Sequence, residues 1–241
     1  MNLIIDIGNT CAKLTLFDGT TPVATRRIER GLEAAVADAL RRYAPVRCAW
    51  SCVGAETDEV KRTLKALPIP ALHVTGLTPT PLHNAYRSPA TLGADRLAAA
   101  VGAAGLMPRT NLLVVDAGTC ITYDLVDATG TYRGGNISPG ADMRLAAMHK
   151  HTAHLPLVDA CGDTPDVGYD TETALRAGVA LGIRYEMEGY VRSLAGRYPG
   201  LRLFLTGGDS LRLDLPRESI QTDEHLVARG LNSILLYNEN I

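Results

Sequence analysis

The chain has 241 residues, 46% of them hydrophobic and 21% charged, with a formal net charge of −2. That balance is ordinary for a globular fold with an ample core, and it gives no cationic footprint for nucleic acid or an anionic membrane surface. No apolar run approaches the ~20 residues of a membrane span, no basic and apolar leader is visible, and the five cysteines, at 11, 48, 52, 120 and 161, form no ligand-like pair. A cytoplasmic protein with reduced thiols is the expectation.

Strands are predicted near 2–6, 12–17 and 22–28, with Asp18-Gly19 at a hairpin turn. A helix near 31–43 carries Leu32, Val36 and Leu40 on one face, followed by a strand near 46–53, a helix near 57–67 and a strand near 71–75. Residues 76–92, rich in Pro, Thr and Gly, read as a long surface loop, and a helix starts near Ala94 and runs to about Leu106. The pattern then restarts, with strands near 112–116, 121–127 and 131–137 and a turn at Thr129-Gly130. Helices near 141–151 and 171–197, a strand at 201–206 and a helix at 225–237 complete the chain. Gly178, Gly182 and Gly189 are costly inside a helix and point to close packing against another helix, one from a second subunit included.

The most informative feature is a repeat. Leu3-Ile4-Ile5 runs into Asp6-Ile7-Gly8-Asn9-Thr10, and Leu112-Leu113-Val114-Val115 runs into Asp116-Ala117-Gly118-Thr119. Apolar residues alternate after both, at Leu14 and Leu16 and at Ile121, Tyr123 and Leu125. One D-x-G is usually only a strand-ending turn; two on similar hairpins indicate duplication. Glycine opens such a turn to a phosphate, successive N–H groups make an anion-binding concavity, and carboxylates hold the cation that neutralises phosphate charge. Two such hairpins face to face would form a cleft for a nucleoside triphosphate and its metal.

Other groups are open to two readings. Asp95, in the first turn of the central helix, suits helix capping with Arg96 in a neighbouring salt bridge. It equally suits a proton acceptor for a substrate hydroxyl, with Arg96 on an anionic substrate group. Lys13, just past the first turn, meets phosphate or merely faces solvent. Cys11 and Cys120 are small fillers or oxidation-sensitive neighbours of the turns. Gly134-Gly135-Asn136-Ile137-Ser138-Pro139-Gly140 reads as a glycine-rich loop entering a helix, and Thr206-Gly207-Gly208-Asp209 as a turn able to border a purine. Tyr86 touches a substrate or packs. His149, His151 and His154 match no zinc spacing, and neither a P-loop nor a dinucleotide-binding glycine fingerprint occurs.

Together these segments resemble the type III pantothenate kinases, over essentially the whole chain. The carriers are Asp6 to Thr10 with Lys13, Tyr86-x-x-Pro89-x-x-Leu92-Gly93-Ala94-Asp95-Arg96 and Asp116 to Thr119. Gly134 to Gly140, Thr152-Ala153-x-Leu155-Pro156 and Thr206 to Asp209 complete the set. The resemblance implies an α/β fold of the duplicated actin-like, ribonuclease H-like ATPase type, with halves 1–110 and 111–241 around a nucleotide cleft. It implies ATP-dependent phosphorylation of pantothenate, the first step of coenzyme A synthesis, by a homodimer that uses Mg²⁺ and K⁺ or NH₄⁺. Asp6, Ile7, Gly8, Asn9, Thr10, Cys11, Ala12, Lys13 and Thr119 correspond to ATP contacts, Asp6 also to a partner of the Mg²⁺-bound phosphates, and Asp116 to the monovalent-cation ligand. Asp95 corresponds to the proton acceptor, while Tyr86, Gly93, Ala94, Asp95 and Arg96 correspond to the pantothenate pocket. Thr171 corresponds to a further pantothenate contact, with Thr173 two residues away as the competing alignment. The alternatives are a non-catalytic regulator like the Bvg accessory factor proteins of the same family, and a related kinase of a sugar or short acid.

Overall fold

A computed structural model describes residues 1–207 and 220–239. The first sheet contains β1 (Asn2–Ile7), β2 (Ala12–Asp18), β3 (Thr21–Ile28), β4 (Arg47–Cys52) and β5 (Ala71–His73), in the order β3-β2-β1-β4-β5. The second contains β6 (His83–Asn84), β7 (Leu112–Ala117), β8 (Cys120–Val126), β9 (Thr131–Pro139), β10 (Arg202–Gly207) and β11 (Ile220–Thr222), in the order β11-β10-β7-β8-β9-β6. Apart from β6, the second sheet repeats the first strand for strand. β1 runs antiparallel to β2 and parallel to β4, and β7 runs antiparallel to β8 and parallel to β10. The duplication inferred from the paired D-x-G turns is therefore a duplication of topology.

Helices separate and cover the sheets. Helices α1 (Leu32–Tyr43) and α2 (Asp58–Lys65) cover the outer face of the first sheet, where Leu3, Ile5 and Ile7 meet Val36 and Val60. Helices α4 (Ala141–His151) and α5 (Thr171–Ala195) cover the outer face of the second, where Leu113 and Val115 meet Leu145 and Ile183. Between the sheets lie α3 (Ala94–Leu106) and α6 (Leu226–Asn238), packed on Ile4 and Ala49 from one sheet and Leu112 and Val114 from the other. Both β1 and β7 are buried on two faces, so their sequences are continuous apolar runs without alternation.

Among the described residues, the close helix packing anticipated at Gly178, Gly182 and Gly189 is absent, and a Cβ at each would meet open space. It occurs at the crossing of α3 and α6. A Cβ on Gly102 would collide with the Leu226 carbonyl oxygen, and one on Gly230 with the Ala98 carbonyl oxygen. Backbone, unlike a side-chain tip, has little freedom to retreat. We therefore expect Gly230→Ala to lower the unfolding free energy by about 3 kcal/mol, read from urea unfolding; a loss below about 1 kcal/mol would show that this crossing is compliant.

Three boundaries differ from the sequence reading. The 76–92 segment contains β6, which pairs with β9, and a short 3-10 turn at Pro89–Thr91. Gly134 to Pro139 is part of β9 and not a loop, because its backbone completes the ladder with β8. The strand β11 was not anticipated, since three residues carry too little periodicity to register. Of the Thr206-Gly207-Gly208-Asp209 segment, Gly208 and Asp209 lie outside the described residues.

Candidate active site

Each D-x-G turn closes on itself: the Gly8 N–H donates to the Cys11 carbonyl at 3.0 Å, and the Gly118 N–H to the Cys120 carbonyl at 3.1 Å. The turns meet tip to tip, with the Thr10 and Thr119 hydroxyl oxygens 3.3 Å apart. Below that contact opens a cleft of about 550 Å³ whose lining includes Asp6, Lys13, Asp95, Asp116 and Thr122. Backbone packs on backbone around it. A Cβ on Gly54 would strike the Gly8 carbonyl oxygen, one on Gly140 that of Gly118, and one on Gly207, at φ +106°, that of Ala117. The walls thus leave main-chain groups, not side chains, nearest the turns.

Strand register explains how the two halves differ. Asp6 stands opposite Lys13 on β2 and beside Ser51 on β4; Asp116 stands opposite Thr122 on β8 and beside Thr206 on β10. A hydroxyl follows each carboxylate on the parallel neighbour, and Ser51 Oγ donates to Asp6 Oδ1 at 3.0 Å. Among the described residues that line the cleft, only the first half supplies cations, Lys13 and Arg27, so the cleft is chemically polar along its length.

Its carboxylates are held against their ordinary preference. Burial pushes the Asp6 carboxyl up to about 6, the Ser51 hydrogen bond opposes this, and the negative charge of Asp95 adds to it. Burial likewise raises Asp116 to about 6, with repulsion from Asp95 and Asp6. The Asp95 carboxyl is raised chiefly by burial, against the Arg96 backbone N–H that donates to it at 2.8 Å. Three crowded carboxylates in a low-dielectric cleft are a site short of positive charge. Among the described residues no three His, Cys, Asp or Glu side chains converge as a complete metal cage. A hard cation here would therefore take its remaining ligands from phosphate and water, which suits Mg²⁺ on a nucleotide.

The stretch from Asp6 to Lys13 divides by exposure: Asp6, Gly8, Asn9, Thr10, Cys11 and Lys13 line the cleft, whereas Ile7 and Ala12 are buried in the outer core and do not. Thr119 and Cys120 line the cleft from the second turn. Asp95 stands over it from the first turn of α3, and a Cβ on Gly93 would lie 2.5 Å from Asp95 Oδ1, so a side chain there would displace the carboxylate. Ala94 is buried in the central core. Arg96 is buried too and is ion-paired with Asp124 at 2.6 Å, with its guanidinium carbon 5.9 Å from the centre of the Tyr86 ring. The salt-bridge half of the sequence reading of Arg96 is thus correct, with a partner the sequence did not disclose.

Thr171 opens α5 on the exposed surface, outside the lining of the cleft. Thr173, the competing alignment, joins Asp170 in a capping box through its hydroxyl and backbone N–H. His149 binds the Leu155 carbonyl through Nδ1 at 2.7 Å, as a helix-end residue would. Sequence reasoning missed Ser51, Thr122 and Asp124; only a search for chemistry at positions paired in register with the two motif aspartates would have found the first two.

Residues 2–193 match the sequence pattern of the family described as Type III pantothenate kinase. The chain is 49% identical over 240 residues to the Type III pantothenate kinase of Bacteroides fragilis, covering 99% of this chain and 98% of the relative. It is 45% identical over 242 residues to that of Phocaeicola vulgatus, covering both chains completely. Among solved structures, a conserved Campylobacter jejuni protein named for the Baf family superimposes with a TM-score of 0.62 at 22% identity, over 99% of this chain and 100% of that one. The activator of 2-hydroxyisocaproyl-CoA dehydratase from Clostridium difficile, with ADPNP bound, does so with a TM-score of 0.55 at 14% identity, over 99% and 96%. At those identities the structures speak for the fold alone, the duplicated actin-like ATPase architecture. The match to the family pattern, the relatives matched end to end and the doubled acidic turns place this chain in the type III pantothenate kinase family.

Proposed function

We infer that this chain transfers the γ-phosphoryl group of ATP to the primary hydroxyl of pantothenate, forming 4'-phosphopantothenate and ADP at the entry to coenzyme A synthesis. The observation that carries it is the meeting of the two D-x-G turns over one cleft, with Asp95 between them. The backbone of Asp6 to Lys13, together with Thr119, cradles the phosphates, and Lys13 adds positive charge at the first turn. Asp6 would hold Mg²⁺ and Asp116 would hold K⁺ or NH₄⁺, and these cations would supply charge neutralisation for a bound triphosphate.

Asp95 accepts the hydroxyl proton as the oxygen attacks phosphorus, and ADP departs. Such transfer is mainly positioning and electrostatics, and a carboxyl raised by burial makes a better proton acceptor than a solvated one. Tyr86, Gly93, Ala94 and Arg96 border the pantothenate side. A coupled assay with ATP, Mg²⁺, K⁺ and pantothenate tests the reading: pantothenate-dependent ADP release is expected, and its absence rejects it. N-acetylglucosamine and acetate in parallel separate a sugar or acid kinase, and a regulator without catalysis would release no ADP with any of them.

The chain halves 1–110 and 111–241 are taken as the two units, each with its own five-strand order and laced together by β6, α3 and α6. Gly178, Gly182, Tyr185 and Gly189 fall at helical spacing on α5, with Tyr185 53% exposed and no Cβ contact at any of the three glycines. That stripe supports a homodimer in which Thr171, at the start of the same helix, reaches the neighbouring pantothenate pocket. Gly182→Arg is then expected to yield monomers in sedimentation and a raised KM for pantothenate; a variant that stays dimeric removes this face from the interface. No described helix is long and apolar enough to cross a membrane, and the cytoplasm is the compartment we assign.

A further inference from the structure

The Asp124 carboxylate is among the most enclosed charges in the chain, 1% exposed, and it lies at no surface of the cleft. It accepts the Arg96 Nε–H at 3.1 and 3.2 Å through its two oxygens, Nη2–H at 2.6 Å, and the Tyr132 hydroxyl at 2.7 Å. This is the fork geometry in which a guanidinium has least freedom to turn. Two glycines border it. A Cβ on Gly135 would strike the Tyr123 carbonyl oxygen at 2.0 Å and would also lie 2.6 Å from Asp124 Oδ1. A Cβ on Gly134, which sits at φ +95°, would lie 3.1 Å from the ring of Tyr86. The glycine pair that reads as a ligand loop in the sequence instead lies in β9, pressed on the β8 backbone and bordering Asp124 and Tyr86.

We propose that Asp124 is a positioning residue of the pantothenate pocket: by holding the Nε and Nη2 edge of Arg96, it aims the Nη1 edge and Tyr86 at the substrate's carboxylate and keeps the guanidinium away from Asp95. The proposal rests on the kinase reading above. Its chemistry follows from adjacency. Arg96 and Asp95 are neighbours on one helical turn, yet Asp95 receives Arg96 only through the backbone N–H. A guanidinium without Asp124 would be a buried cation in search of an anion, and Asp95 is the nearest candidate along the chain. A proton acceptor tied into an ion pair is a weak one. The clamp thus does two things at once: it orients a donor for the substrate and leaves the base unpaired with its neighbour.

Asp124→Asn, Tyr132→Phe, Arg96→Lys and the Asp124→Asn/Arg96→Lys double variant test this in steady-state assays, with active sites counted by nucleotide binding. Asp124→Asn is expected to raise KM for pantothenate about 10-fold or more and to lower kcat about 10-fold, with KM for ATP within about 2-fold of wild type. Tyr132→Phe, which removes one hydroxyl and little volume, is expected to raise the pantothenate KM about 3-fold and covers the case in which Asp124→Asn folds poorly. Because Asp124 acts through Arg96, the double variant should match Arg96→Lys alone within about 2-fold. A merely structural role would reduce the count of active sites and leave both KM values in place. That result, or additive effects in the double variant, overturns the proposal. A wild-type protein with no pantothenate-dependent ADP release overturns it together with the kinase reading, whereas an active wild type with an indifferent Asp124→Asn overturns it alone.

Discussion

Asp95→Asn is expected to lower turnover by about 10²–10⁴-fold while leaving ATP affinity within about 2-fold of wild type. The amide is nearly isosteric, and its oxygen still accepts the Arg96 N–H that now meets Asp95 Oδ1. The first turn of α3 and the α3–α6 crossing therefore stay in place, and the cleft keeps Asp6, Asp116 and Lys13 for the nucleotide. Only the capacity to take a proton disappears. The pH profile offers a second reading of the same role. Burial raises the Asp95 carboxyl above the ordinary carboxylate range, and a base must be ionised to act. Wild-type kcat should accordingly fall on the acid side at a higher pH than a solvated aspartate would give, and the Asn variant should lose that limb. Turnover within about 3-fold of wild type would remove Asp95 as proton acceptor. A matching loss of ATP affinity would relocate its role to the nucleotide.

The parts of this molecule legible in its sequence are those where chemistry and chain continuity coincide. The paired D-x-G turns are local: strand, carboxylate, glycine and returning strand are contiguous, so duplication shows as similar spelling at two places. The same holds for Gly93 and Asp95, which are neighbours in space as in sequence. What stayed hidden depends on register between distant strands. Asp124 lies 28 residues beyond Arg96, on a strand whose second half is buried throughout, where one inward carboxylate has no distinguishing context. Ser51 reaches Asp6 only because β4 lies parallel to β1 with those two side by side. Glycines mislead for a related reason: conformational cost is visible in a sequence, whereas the neighbour that demands it is not. Those on α5 face open space, while Gly102 and Gly230 carry the close crossing and Gly134 and Gly135 make room inside a strand.

Asp116→Asn should make the cation-free protein more stable and its catalysis far worse. With burial and two neighbouring carboxylates, Asp116 and Asp6 each bind protons in the folded state up to about 6, against 3.8 for the ordinary side chain. The folded protein therefore holds more protons than the unfolded chain between those values, and stability declines as pH rises through that interval. Above it the full penalty persists. Replacing Asp116 by a neutral amide removes its own share and eases Asp6. Discounting for the cleft's contact with solvent, the gain in unfolding free energy at pH 7.5 is about 1–2 kcal/mol, falling to roughly half at pH 5, where the wild-type carboxyls are mostly protonated. Urea unfolding in chelator and tetramethylammonium buffer reads both values. Adding Mg²⁺ with K⁺ should stabilise the wild type more than the variant, because a ligand of the folded state alone raises its stability. Turnover of the variant should fall by about 10²-fold or more, with loss of the response to K⁺. A variant less stable than wild type at pH 7.5 would mean that Asp116 is held by favourable partners, and the charge-starved cleft on which the nucleotide and cation assignment depends would have to be abandoned.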